Sequence, residues 1–267
     1  MNPVAETPPR RTIAVIGGSG LSKIFAGQSK MHRISTPWGA PSAPIEEGEV
    51  GGVRTLFLPR HGVGHTIPPH RVNYRANIDA LRALGADAIV TVSSVGSLRE
   101  ELAPGTFVLP RQFVDFTKQR PTTFHDGGRV YHVSMADPFC PDLLAQASAT
   151  GRELSNPFAE GSTYVCIEGP RFSTRAESKF FRGFADIIGM TLVPEVTLAR
   201  ERCLCYACLA MVTDYDVWAE HPVEMREIIE TMNRNVERMR KLLSALIPRL
   251  ARAPTCTCAH ALDQAGV

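Results

Sequence analysis

The residues 211–218 read M-V-T-D-Y-D-V-W and place two carboxylates, Asp214 and Asp216, directly behind an apolar run, 205–212, that suits a strand buried on both faces. Burying a single charge costs several kcal/mol unless something compensates. Acids at the end of a core strand therefore hold a ligand or a proton. A carboxyl kept neutral in a water-poor pocket can serve as a general acid, and an ionised one can accept from an amine. The plainer reading is a pair of aspartates in a turn.

A second chemistry gathers at other strand ends. Gly17-Gly18-Ser19-Gly20 follows the β-branched run 12–16, and Arg60, His61 and His65 follow 53–58. Ser93, Ser94, Gly96 and Ser97 close 88–95, and Met190-Thr191 closes 186–190. Glycines let backbone N–H groups approach an anion, hydroxyls donate, and a guanidinium grips phosphate bidentately. Any one of these loops alone reads as a tight turn. G-G-S-G is neither G-x-G-x-x-G nor G-x-x-x-x-G-K-[ST], and no acid after a second strand would hold a dinucleotide ribose. The recurrence at several strand ends carries the phosphate reading.

The elements that position these groups follow from pattern. Strands are expected at 12–16, 31–35, 43–49, 53–58, 88–95, 106–116, 186–190 and 205–213, with helices at 73–84, 141–153, 174–184 and 194–203. Apolar residues recurring every three or four positions mark a long helix over 223–247. Thr174 and Glu177 make a T-x-x-E capping box, and Gly85 stops the first helix. Residues 117–131, polar and glycine-bearing, read as a loop. Alternating strands and helices argue a single α/β domain with a central mixed sheet flanked by helices. Its expected span is 12–248, between a disordered leader (1–11) and a tail (249–267).

Composition bounds the partners. The 267 residues are 44% hydrophobic and 21% charged, and the formal net charge of +2 gives no strong pull toward nucleic acid or membrane. No apolar stretch reaches the ~18 to 20 residues of a membrane span. The N-terminus lacks the apolar core of a signal peptide, which points to the cytoplasm. Of seven cysteines, Cys166, Cys205 and Cys208 lie in apolar runs and read as small buried hydrophobes. Cys256 and Cys258 stand in the polar tail A-P-T-C-T-C-A-H. That C-x-C, with His260 nearby, falls short of the four-ligand set of a zinc site, so no metal is expected. The tail reads as redox-active or cross-linking, or as an inert end. Whether Cys140, Cys205, Cys256 and Cys258 form disulfides stays open.

Eight motifs then carry a resemblance: V-I-G-G-S-G-L (15–21), P-R-H-G-V-G-H (59–65), V-N-Y-R-A-N (72–77), V-G-S-L-R (95–99), M-A-D-P-F-C (135–140), I-E-G-P-R-F-S-T-R-A-E-S (167–178), G-M-T-L-V-P-E (189–195) and V-T-D-Y-D-V-W (212–218). In order and over 12–248, the chain resembles the methylthioadenosine phosphorylase branch of the trimeric purine nucleoside phosphorylase family. The resemblance implies the purine nucleoside phosphorylase-like fold and, in purine and methionine salvage, attack of phosphate on C1' of the nucleoside. It implies no metal or organic cofactor, phosphate being a substrate, and a homotrimer or dimer of trimers.

By matching position, Ser19, Arg60, His61, Ser93 and Thr191 would bind phosphate, and Asp214 and Asp216 would face N7 and N6 of the base. Met190 would support the ribose, Phe172 and Ser173 would border the base, and Met225 and Ile228 would face the methylthio group. His132 would reach a neighbouring subunit's pocket near the 5' end. Ser94 replaces an alanine of some relatives. Two acids favour a 6-aminopurine, since relatives specific for 6-oxopurines typically carry asparagine there. A 6-oxopurine preference and a non-catalytic nucleoside-binding module are the competing readings.

Overall fold

A computed structural model describes residues 11–25, 27–218, 225–263 and 265–266. The strands are β1 (Ile13–Gly17), β2 (Lys30–His32), β3 (Ile45–Val50), β4 (Val53–Pro59), β5 (Ala88–Ser97), β6 (Phe107–Phe116), β7 (Phe158–Ile167), β8 (Ile187–Gly189) and β9 (Cys205–Asp214). The α-helices are α1 (Tyr74–Ala83), α2 (Pro141–Glu153), α3 (Arg175–Phe181), α4 (Glu195–Glu201) and α5 (Met225–Leu250). No helix among the described residues is long and apolar enough to cross a membrane.

One mixed sheet runs β2-β3-β4-β1-β5-β8-β7-β6-β9, and an additional β5–β9 pairing closes its second half into a ring. β1 and β5 are the spine. β1 runs parallel to β4 and β5, and β5 runs parallel to β9. Strands covered on both faces need apolar residues throughout, and every residue of β1 is buried. Between Val95 and Gly96 the register of β5 against β9 slips, leaving Gly96 opposite Asp214. Gly96 and Ser97 also pair with β8, antiparallel. A Cβ at Gly96 would come within 2.9 Å of Asp214 Oδ1, so this crossing point requires glycine.

The helices follow local rules. The Asn73 side chain caps α1 by accepting from Ala76 N at 3.2 Å, and Gly85, at φ +85°, ends it. Thr174 and Glu177 make the expected reciprocal box at α3, with bonds of 2.7 and 3.1 Å. α3 ends at Phe181, shorter than the expected 174–184. α5 runs to Leu250, through Pro248, past its expected end and into the segment assigned to the tail. Buried Leu246, Ile247 and Leu250 hold that last turn against the body of the protein.

Strand β7 had no counterpart among the expected elements. Its first half, F-A-E-G-S-T, is polar and contains Gly161 at φ +86°. The β6–β7 register shifts around Pro110, which removes the period-two pattern that marks a strand. Of the leader, only Arg11 is described, and its N–H reaches the Ala251 carbonyl at 3.4 Å.

Candidate active site

Arg60 directly follows β4 and is almost wholly buried. Its N–H bonds the Gly17 carbonyl at 3.0 Å, tying the loop after β4 to the end of β1. The guanidinium meets Glu195 at the start of α4, with Nε donating to Oε2 at 2.9 Å and Nη2 to Oε1 at 3.1 Å. Nη1 donates to the Val92 carbonyl at 3.1 Å, and Nη2 also donates to Thr91 Oγ1. Four of the five guanidinium N–H groups are therefore engaged within the protein, which leaves one on Nη1.

The bidentate grip that the sequence suggested for an anion is thus spent on Glu195. Burial opposes the Arg60 charge, but the Glu195 carboxylate outweighs it and holds the guanidinium protonated. Glu195 also accepts from Tyr206 Oη at 2.8 Å. Sequence reasoning missed Glu195, although it closes the G-M-T-L-V-P-E motif; an acid at a helix start reads as an ordinary first-turn carboxylate.

His61 stacks on His65 with ring centroids 4.3 Å apart. Burial first, and the Arg60 charge second, push its imidazole from 6.5 down to about 4. At pH 7 the ring is neutral. Nδ1 lies 2.8 Å from the Ile67 carbonyl, which can only accept, so Nδ1 carries the proton and Nε2 presents a lone pair. The unfolded chain takes up this proton near 6.5 and the folded one only near about 4, so the stability contributed by neutral His61 is complete above 6.5 and is lost as pH falls toward about 4. Thermal midpoints across that window should fall for the native protein and fall less for His61→Asn. Parallel curves would remove His61 as a cause.

Two hydroxyls from distant parts of the chain meet: Ser93 Oγ, on β5, lies 3.2 Å from Thr191 Oγ1, which follows β8. Both are buried. Ser94 points the other way along the pleat and is exposed. Met190 packs against the loop after β7, where Gly169 adopts φ +66°. A Cβ at Gly169 would lie 2.6 Å from Met190 Sδ, so the approach of that loop depends on glycine. Phe172 is 42% exposed at the mouth of this loop. Ser173 is buried, and its hydroxyl has no hydrogen-bond partner among the described residues.

The acid pair closes β9. Asp214 Oδ2 accepts from Thr213 Oγ1 at 2.7 Å, and Oδ1 accepts from Asp216 N at 2.8 Å. Asp216 is held at φ +51°, a left-handed conformation unusual outside glycine and asparagine. It is 4% exposed, and its Oδ2 has no hydrogen-bond partner among the described residues. Burial raises both carboxyls above their ordinary 3.8. Asp214 is thereby biased toward the neutral form in which a carboxyl donates.

Four of the expected site positions remain. The side chains of Ser19, Met225 and Ile228 lie outside the described residues, although Met225 and Ile228 belong to the first turn of α5. The His132 side chain is exposed, and its backbone N–H bonds the Ala265 carbonyl of the tail at 2.7 Å.

Comparison with known proteins identifies the family. The phosphorylase superfamily profile matches residues 12–248. The chain is 54% identical to the S-methyl-5'-thioadenosine phosphorylase of Pyrococcus furiosus, over 94% of this chain and 97% of the relative. It is 55% identical to the enzyme of that name from Thermofilum pendens, over 95% and 97%. A methylthioadenosine phosphorylase sourced from an Antarctic soil metagenomic library superposes with a TM-score of 0.92 at 44% identity, covering 97% of this chain and 93% of that one. A mutant adenosine/methylthioadenosine phosphorylase from Schistosoma mansoni, in complex with methylthioadenosine, gives a TM-score of 0.89 at 36% identity over 95% and 96%. The chain belongs to the phosphorylase superfamily and, within it, to the S-methyl-5'-thioadenosine phosphorylase family.

Proposed function

We propose that the protein cleaves S-methyl-5'-thioadenosine by phosphorolysis, yielding adenine and S-methyl-5-thioribose 1-phosphate. A phosphate oxygen bonds to C1' as the C1'–N9 bond breaks, and the bonding pair passes into the purine. Neutral Asp214 donates its proton to N7, which makes adenine a better leaving group. The proton that phosphate sheds on becoming an ester balances the one that adenine gains. His61, neutral with an unprotonated Nε2, accepts from the P–OH group. The Arg60 charge with its remaining N–H, and the Ser93 and Thr191 hydroxyls, hold the other phosphate oxygens. No metal or organic cofactor is required for this chemistry.

The observation that carries the reading is the layout of β5. Ser93 of the hydroxyl pair and Gly96 beneath Asp214 lie on that one strand, about 10 Å apart. That separation suits the length of a ribose with phosphate at one end and a purine at the other. The buried Asp216 carboxylate favours an amino base, because an N6 amine can donate to it, whereas O6 of hypoxanthine would face it as a second acceptor. Met190 supports the ribose, Phe172 and Ser173 border the base, and family position assigns the apolar wall around the methylthio group to Met225 and Ile228. A 5'-hydroxyl left unpaired against that apolar wall would cost roughly 1–3 kcal/mol.

A phosphate-dependent assay across methylthioadenosine, adenosine, methylthioinosine and inosine tests this. Methylthioadenosine should be cleaved fastest, with no base released when phosphate is omitted. Faster hypoxanthine release from methylthioinosine would transfer the assignment to a 6-oxopurine phosphorylase. Absence of turnover on all four would leave only a binding module.

The exposed phenylalanines support a homo-oligomer. Phe116, Phe180 and Phe184 are 38%, 59% and 37% exposed, and their rings pack on one another and on Phe181. A hollow beside them is lined by Ile167, Gly169 and Arg171, next to the base loop. In such an assembly the family resemblance assigns a neighbour's His132 to the 5' end of the site. Sedimentation should therefore show a trimer or a dimer of trimers, and Phe180→Glu should shift it toward smaller species. A fully active monomer would contradict the shared site.

A further inference from the structure

We propose that Cys140, Cys205, Cys256 and Cys258 form a four-thiolate site for a structural zinc ion that fastens the C-terminal tail to the body of the protein. The four come from three distant parts of the chain. Cys140 precedes the first turn of α2, Cys205 opens β9, and Cys256 and Cys258 lie in the tail. Their sulfurs all lie within 4.8 Å of one another. The Cys205 and Cys256 sulfurs are 3.4 Å apart. Thiolates at about 2.3 Å from a tetrahedral zinc ion stand about 3.8 Å from each other, which is the scale of this cluster. All four are free thiols, and Cys140, Cys205 and Cys258 are buried.

The surroundings are built to hold the ligands. The Asp142 carboxylate accepts from Thr255 N at 2.5 Å, from Thr255 Oγ1 at 2.9 Å and from Cys256 N at 3.0 Å. That brace docks the C-x-C segment onto α2 before any ion arrives, which lowers the ordering cost of binding. Arg11 Nη2 lies 2.9 Å from Cys205 Sγ, and Arg200 Nη1 lies 3.7 Å from Cys258 Sγ. Binding exchanges four S–H protons for one dication and moves no electrons, so the site carries two negative charges that these guanidiniums offset. Soft sulfur donors select zinc over the hard dications, and a set closed by four protein ligands leaves no position for a reactant.

This revises the expectation drawn from the tail alone. His260 is not part of this cluster, which is made of sulfurs alone; its Nδ1 lies 2.9 Å from Asp263 Oδ2. The missing pair of ligands is supplied by Cys140 and Cys205, 65 residues apart in sequence. Beyond the cluster, Gly266 bridges Tyr131 and Ala265 accepts from His132 N, so the ion would also steady the loop that carries His132.

The test uses the full-length protein, purified reduced and without chelator. Elemental analysis should find about one zinc per chain. Exchange with Co²⁺ should give thiolate-to-cobalt charge transfer and the intense visible bands of tetrahedral cobalt. Cys256→Ser should weaken zinc binding about tenfold or more, while Cys203→Ser, outside the cluster, leaves it unchanged. Stripping the ion from the native chain should lower its thermal midpoint. Folded, reduced native protein that binds neither Zn²⁺ nor Co²⁺ in this way would overturn the proposal. A metal-free chain whose intact mass is short by the hydrogens of two disulfides would overturn it as well, and would assign the cluster to cross-linking.

Discussion

Asp214→Asn is expected to lower the turnover number for methylthioadenosine about 10²- to 10⁴-fold, with a much smaller change in KM. Asparagine fits the site. Its carbonyl can take over Oδ1 and accept from Asp216 N, while its amide faces Thr213 Oγ1, whose proton can turn to the Val95 carbonyl at 3.2 Å. The amide can still donate a hydrogen bond to N7, but it has no proton to give. Because burial raises the Asp214 carboxyl above 3.8, the native enzyme keeps its proton to higher pH than an exposed aspartate and loses it on the alkaline side. That alkaline limb of kcat should vanish in the variant. Since an amide also donates to O6, activity on 6-oxopurine nucleosides should suffer less. Asp216→Asn should blur the choice between amino and oxo bases with a smaller loss of rate. Full speed of Asp214→Asn on methylthioadenosine would place the acid elsewhere.

Arg60→Ala should act on catalysis and folding together. The remaining guanidinium N–H and the positive charge leave the phosphate site, so KM for phosphate should rise far more than KM for the nucleoside. The deletion also strands Glu195, whose side chain is fully buried and which, among the described residues, would keep only Tyr206 as a partner. Breaking one side of such a pair costs about 3–5 kcal/mol. Urea unfolding should register that loss in the midpoint. Arg60→Ala combined with Glu195→Gln removes the stranded charge, so it should recover part of the stability without restoring the phosphate KM. Equal rises in both KM values would count against the phosphate assignment. Equal stability of the single and double variants would show that no stranded charge is left when Arg60 is removed.

What the sequence determined by itself was local or periodic. Strand β1, helix α1 with its Asn73 and Gly85 ends, the Thr174–Glu177 box and the length of α2 follow from chemistry within a few residues of each. The acids at the end of β9 and the hydroxyls in the second half of β5 were legible for the same reason, since polar side chains that end apolar runs mark ligand sites at the carboxyl edge of a sheet. Three things needed the tertiary structure. The closing of β5 onto both β8 and β9 depends on a bulge at Gly96 that leaves no periodic trace. The pairing of Arg60 with Glu195, 135 positions later, decides that most of the guanidinium's donors face inward. The meeting of Cys140 and Cys205 with the tail turns a C-x-C that is incomplete alone into a four-sulfur cluster. Each is a contact between groups remote in sequence, which depends on the packing of the whole sheet rather than on the neighbours along the chain.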